Sequence, residues 1–240
     1  RDELGDLAHS INGMADEIRR MLEAKRQLLL AISHELRSPL TRAKVAVALL
    51  DDPLQRTEIT RDLDELDRLV EELLETERLT TRHRVLDRRP ASLNALVEEV
   101  IASFFAATNV QRALPAQDVR AEVDSARIKL LLKNLLDNAV RHTPAGAEPP
   151  EVTLNATPEG CTLTVRDHGT GIAPEHLPHL TEPFYRADPA RRRETGGYGL
   201  GLYLCRVIAE AHSGTLAIDS TPGQGTTVRV LLPHHDSARG

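Results

Sequence analysis

The first 88 residues carry their apolar positions at helical intervals. Leu4, Leu7, Ile11, Met14 and Ile18 recur three and four positions apart, which predicts an amphipathic helix over residues 1–22. A second seam follows without a glycine between: Leu29, Ile32, Leu36, Leu40, Ala43, Val47 and Leu50. Asp51-Asp52-Pro53 breaks it, and a third seam runs through Ile59, Leu63, Leu66, Val70 and Leu73. Two long amphipathic helices joined by a short link predict a helical hairpin. Its apolar stripe is too wide to be covered within the hairpin, so pairing with a second copy as a four-helix bundle, a homodimer, is expected.

The pattern changes near Pro90. Ser92 is placed to cap a helix over about 93–106, and a short strand near 118–123 follows. Asp124 can cap a helix over 125–142. Alternating runs predict strands at 151–157 and 161–166 around a Pro158-Glu159-Gly160 turn. A long loop covers 168–195, a helix is expected over 199–212, and strands at 215–219 and 226–232 close the chain. The fold class this predicts is multidomain, α then α+β. A helical hairpin precedes a two-layer α/β sandwich, and the order does not fit a doubly wound parallel sheet.

Composition sharpens the division. Residues 1–88 hold two of the 14 glycines and two of the 14 prolines, and every aromatic lies beyond residue 100. No apolar run is long enough to cross a membrane. A net charge of −6 argues against a general nucleic-acid binder. Cys161 and Cys205 have no metal or redox spacing and read as small buried hydrophobes.

Four segments carry candidate chemistry. In Ser33-His34-Glu35-Leu36-Arg37-Ser38-Pro39-Leu40, Pro39 should kink the first hairpin helix one turn after His34. His34 falls off the apolar seam, and Glu35 beside it can take a proton as the other ring nitrogen attacks. A solvated histidine beside a structural proline is the alternative. Asn134 and Asn138 stand one turn apart on a predicted helix, opposite Leu131 and Leu135, and their amide oxygens suit a hard cation such as Mg²⁺. Two exposed polar residues would look the same. Asp167-His168-Gly169-Thr170-Gly171 puts a carboxylate at a strand end, with glycines that let a flat base or a phosphate approach. Gly196-Gly197-Tyr198-Gly199-Leu200-Gly201 opens a helix and can cradle phosphates on backbone N–H groups, although it matches neither the dinucleotide fingerprint nor the P-loop. The loop between the last two segments has the length of a lid. Phe184 is expected to anchor it in a pocket, and Arg191-Arg192-Arg193 can approach a triphosphate.

Taken in order, these segments resemble the sensor histidine kinases of two-component signalling. His34 to Leu40 resembles the H box, Asn134 to Asn138 the N box, and Asp167 to Gly171 the G1 box. Glu182 to Arg186 resembles the F box, Gly197 to Gly201 the G2 box, and Gly223 to Thr227 the closing hairpin. Residues 1–22 are similar to the end of a HAMP linker. The resemblance implies three parts: 1–22 as linker, 23–88 as dimerisation and histidine phosphotransfer domain, and 89–240 as a Bergerat-like ATP-binding domain. The Leu40-Thr41-Arg42 run after Pro39 is most similar to envelope-stress and osmosensor-type kinases.

That resemblance also implies a mechanism. ATP sits with its adenine on Asp167, Mg²⁺ on Asn138 with Asn134, and its phosphates on the backbone of Gly197, Gly199, Leu200 and Gly201. Arg141, Gly169, Gly171, Phe184 and Thr226 complete the nucleotide site. His142 stands where the family often has tyrosine. The γ-phosphoryl passes to His34 with Glu35 as base, then to an aspartate on the receiver domain of a response regulator. Ser38 replaces the larger residue of the family's phosphatase pattern, where it can still orient a water. The implied protein is the cytoplasmic portion of a bacterial inner-membrane sensor, anchored upstream of residue 1. Two alternatives remain at this point: a non-catalytic dimeric scaffold, and an ATP hydrolase of the same superfamily. The hydrolase needs a carboxylate one turn before the metal asparagine, where this chain has the amide of Asn134.

Overall fold

A computed structural model describes residues 13, 14, 36, 39–49, 52–80, 86–187 and 199–234. Contacts divide the chain into two compact units on either side of Arg78.

The described part of the first unit is helical. Helix α1 covers residues 39–48, and α2 runs from Pro53 to Thr80. The break between them is a cap. Asp52 Oδ1 accepts from the N–H groups of Leu54 at 2.9 Å and Gln55 at 3.3 Å, and Pro53 takes the first helical position, where no N–H is needed. Val47, Val70 and Leu74 are buried. Lys44 on α1 reaches Asp67 at 2.7 Å and Asp64 at 2.9 Å on α2, and the hydrogen bond to Asp67 raises its pKa. Leu40, Ala43 and Leu63 are half-buried, while Leu36, Val45, Leu49, Leu54, Ile59 and Leu66 are exposed. Leu74, not named in the third seam, is more buried than Leu66.

The second unit is a sheet with helices on one face. Strands β1 (Arg89–Ser92) and β3 (Arg120–Val123) form an antiparallel ribbon. Strands β2 (Gln111–Ala113), β4 (Glu151–Thr157), β5 (Gly160–Arg166), β6 (Thr215–Thr221) and β7 (Gly225–Pro233) form a sheet of order β2-β4-β5-β7-β6. All its pairs are antiparallel except β2 with β4. Alternate residues point inward: Val152 and Leu154, then Cys161, Leu163 and Val165, then Val228, Val230 and Leu232. Helices α3 (Leu93–Phe104), α4 (Ser125–His142) and α5 (Gly201–Ala211) cover that face with Val97, Val100, Leu131, Leu132, Leu135, Leu136, Leu204 and Ile208.

The expected caps are present. Ser92 Oγ accepts from Ala95 N–H at 3.1 Å, and Asp124 Oδ1 from Arg127 N–H at 3.3 Å. Strands β1 and β2 were not expected. Each is too short to show a period-two pattern, and β1 contains Pro90, which argues against a strand. The helix expected from residue 199 begins at Gly201, because Gly199 has a positive φ of 76° that no helix accommodates. The long loop contains a 3-10 turn, Pro174–His179. Cys161 and Cys205 are buried and not joined in a disulfide, and burial pushes the pKa of the Cys161 thiol up to about 11.

Candidate nucleotide site

The site forms along one face of α4. Its hydrophobic side, Leu131, Leu135 and Leu136, is locked in the core, which fixes Asn134, Asn138 and Arg141 on the other side. Asn134 donates its amide Nδ2 back to Leu130 O at 2.9 Å. Its oxygen therefore faces α5: a Cβ on Gly201 would lie 3.1 Å from Asn134 Oδ1 and 3.9 Å from Asn138 Nδ2. A side chain at this position would crowd the Asn134 amide, whereas glycine lets the first turn of α5 lie against it without a shift. Among the described residues no side chain caps α5, which leaves its leading N–H groups for another acceptor.

Asp167 defines the far end. It follows β5 directly and is buried. Its Oδ1 accepts from Gly169 N–H at 2.9 Å and Thr226 N–H at 3.1 Å, and its own N–H donates to Thr226 O at 2.8 Å. Among the described residues Oδ2 accepts nothing, so the carboxylate presents one open acceptor. Gly169 packs against the backbone carbonyl of His142, where a Cβ would collide with that oxygen. The Asp167 turn is thus seated on the end of α4. From Asn134 to His142 the helix advances about 12 Å, the scale of an extended nucleoside triphosphate.

The remaining candidates are placed as follows. Gly171 has a φ of 66° and lies beside Thr221, where Gly223 N–H donates to Thr170 O at 2.7 Å and joins the turn to the closing hairpin. Leu200 is buried, and its carbonyl accepts from Leu204 N–H at 2.8 Å. Arg141 is half-buried and His142 exposed. Gly199 O accepts from Phe184 N–H at 3.0 Å, which ties the two ends of the loop together. His34, Glu35, Ser38, Gly197 and the Arg191–Arg193 run lie outside the described residues, as does the upstream helix apart from residues 13 and 14.

One expectation is corrected. Phe184 does not anchor the loop in a pocket: its backbone is left-handed (φ 66°), its amide is held by Gly199, and its ring is 63% exposed. Tyr185 is the anchored residue instead, with its hydroxyl 2.8 Å from His176 Nδ1 and its ring 5.2 Å from that of His179.

Two groups had no motif to announce them. His212 is buried at the end of α5, where Nδ1 donates to Ile208 O at 2.8 Å and Nε2 accepts Asp124 N–H at 3.1 Å. The second bond requires a neutral ring, and burial lowers its pKa in agreement. Arg88 donates to Ala211 O at 2.7 Å beside it. Ser220 was a weak signal, the polar residue in the inward register of β6 after Leu216 and Ile218.

Comparison with known proteins agrees with this geometry. Residues 24–82 match the His Kinase A (phospho-acceptor) domain, and residues 123–236 match the histidine kinase-, DNA gyrase B- and HSP90-like ATPase. Sensor histidine kinase MtrB of Mycolicibacterium paratuberculosis is 34% identical over 97% of this chain and 44% of its own. The chain belongs to the sensor histidine kinase family. Sensor protein RstB of Escherichia coli is 36% identical over 90% of this chain and 50% of its own. The chain thus spans about half the length of the curated relatives it matches. Full-length ShkA in complex with AMPPNP shares the fold, with a TM-score of 0.69 at 24% identity over 86% of this chain and 45% of that one. The Acinetobacter baumannii histidine kinase AdeS does so at 0.61 and 23%, over 83% of this chain and 98% of that one.

Proposed function

We propose that this chain is the catalytic portion of a membrane-anchored bacterial sensor kinase. In this reading it phosphorylates its own His34 from ATP and passes the phosphoryl group to a response regulator. The observation that carries the nucleotide reading is the arrangement along α4. Two amides meet a glycine at the start of α5, and a carboxylate with one open oxygen is seated on the other end. Asp167 would take the amino group of the base, and Thr226, Gly169 and Gly171 would shape its seat. The N–H groups from Gly197 to Gly201 would take the phosphates, with Arg141 adding charge.

The donor set fits Mg²⁺ without a dedicated cage. The described residues hold no cluster of three or more histidine, cysteine or acidic side chains. Two neutral amides on Asn134 and Asn138 suit an ion that is otherwise held by phosphates and water. Bound there, Mg²⁺ supplies charge neutralisation and ATP supplies the phosphoryl group. The chain's own residues do the remainder. His34 offers one ring nitrogen to phosphorus, and Glu35 receives the proton from the other. Ser38 orients a water when the regulator is dephosphorylated.

Among the described residues of α4, no carboxylate beside the two amides stands ready to activate water. Asn134 is an amide with its nitrogen already bonded, and Asp137 is held by Lys133 at 2.6 Å. An external acceptor is therefore favoured over hydrolysis. We read residues 1–22 as the end of a HAMP linker, 23–88 as the dimerisation and phosphotransfer domain and 89–240 as the ATP-binding domain. A second hairpin would cover Leu36, Val45, Leu49, Ile59 and Leu66. Two measurements test the reading. Asn138→Ala should abolish Mg²⁺-dependent ATP binding, and light scattering at micromolar concentration should give a dimer. Retained Mg²⁺-ATP affinity or a monomer would contradict it.

A further inference from the structure

Behind the wall of the site lies a hydroxyl with every valence used. Ser220 Oγ lies 2.9 Å from Ile172 N, 2.9 Å from Gly225 O and 2.9 Å from Thr226 Oγ1. A serine hydroxyl has one proton and two lone pairs. The Ile172 N–H can only donate, and the Gly225 carbonyl can only accept. One arrangement alone satisfies all three contacts. Ser220 donates to Gly225 O and accepts from Ile172 N–H, so its remaining lone pair must take the Thr226 proton.

This has a chemical consequence at the site. Thr226 is joined to Asp167, since its N–H donates to Asp167 Oδ1 at 3.1 Å. With its hydroxyl proton drawn back to Ser220, Thr226 meets a ligand with lone pairs only. Asp167 Oδ2 does the same. We propose that Ser220 is a positioning residue for base selection. By holding the Thr226 proton it keeps both side chains as acceptors, so the site takes a 6-aminopurine nucleotide and rejects a 6-oxopurine one. An exocyclic amine offers two N–H groups to such an edge, whereas a carbonyl would set lone pairs against lone pairs. The proposal rests on the reading of residues 89–240 as a nucleotide site. Without Ser220 the threonine proton turns outward, and a 6-oxo group finds a donor.

The test compares ATP with inosine triphosphate, which differ at this edge, by displacement of a fluorescent ATP analogue from the full chain. Ser220→Ala should lower the preference for ATP by about tenfold, the equivalent of one net hydrogen bond. Thr226→Val should lower it similarly. In the double variant the Ser220 change should add nothing, because it acts through Thr226. Ser220→Thr should restore the preference. A role in packing alone would weaken both nucleotides equally and leave their ratio unchanged. An unchanged ratio in Ser220→Ala, or full additivity in the double variant, overturns the proposal. If Ser220→Ala does not fold, an unchanged ratio in Thr226→Val overturns it equally. Wild-type protein that binds neither nucleotide overturns the nucleotide reading itself, whereas binding with an unaltered ratio overturns only the role of Ser220.

Discussion

Asp167→Asn separates what this residue does for the fold from what it does for a ligand. The two backbone N–H groups of Gly169 and Thr226 accept no substitute for an oxygen at 2.9 and 3.1 Å. The new amide must therefore turn its oxygen toward them and its NH₂ toward the position now held by Oδ2. Two charge-assisted bonds become neutral ones, a loss of about 1 kcal/mol each. That corresponds to a fall in melting temperature of about 4–8 °C for a unit of this size. The ligand side changes sign, since a donor replaces the open acceptor. An amino group on the base then meets an NH₂, which costs about 1.5–3 kcal/mol and weakens ATP about 10–150-fold. Inosine triphosphate, with a carbonyl at the same place, should lose far less. Calorimetric titration with both nucleotides, beside a thermal melt, reads all of these quantities. Equal losses for the two nucleotides, or unchanged ATP affinity in folded protein, would refute the assignment of Asp167 to the base.

Other perturbations test other parts of the structure. Gly201→Val puts a branched side chain where even a Cβ lies 3.1 Å from Asn134 Oδ1, so Mg²⁺-ATP affinity should fall at least about tenfold in a titration while the melt stays cooperative. His212→Ala leaves the buried Asp124 N–H without its acceptor, removes one of two donors to Ile208 O and opens a cavity, and should cost about 2–4 kcal/mol in urea unfolding. The pH dependence of His212 has a definite sign. Burial holds its folded pKa below the ordinary 6.5, so the unfolded chain takes the proton first as pH falls. Its stabilisation is complete above about pH 6.5 and is lost from there down toward the lowered folded value. The nearby charges are Arg88 and Arg127, which oppose protonation, and Asp124, which favours it. Unfolding followed from pH 7.5 to 5 should show a steeper loss in wild type than in His212→Gln; equal slopes would contradict this reading.

Much of the frame was legible because each element announced itself locally. Asp52-Pro53, Ser92 and Asp124 are side-chain caps whose chemistry does not depend on what packs nearby; Ser92 and Asp124 begin helices at their expected places, and Asp52, expected only as part of a break, caps α2. Strands β4, β5 and β7 alternate over seven residues or more, long enough for a period of two to stand out. Strands β1 and β2 have four and three residues and exist only because β3 and β4 supply their partners.

The site divides in the same way. Asn134, Asn138 and Gly201 belong to recognisable segments, and the core-facing leucines of α4 sufficed to place the two amides together. Phe184 was misjudged because an aromatic residue in a lid suggests burial, while its orientation depends on a left-handed backbone and a bond to Gly199, fifteen positions away. His212 acts through a bond to Asp124 and Tyr185 through one to His176, partners that no local pattern encodes, whereas Ser220 shows only as a polar residue in the inward register of β6.

In the proposed reaction the γ-phosphoryl group passes first to a ring nitrogen of His34. Incubating the chain with ATP labelled at the γ-phosphate, followed by peptide mapping, tests it most directly. The account predicts label on His34, labile to acid and stable to alkali, and none on His34→Gln. Label that survives His34→Gln, or that is stable to acid and labile to alkali, would contradict it.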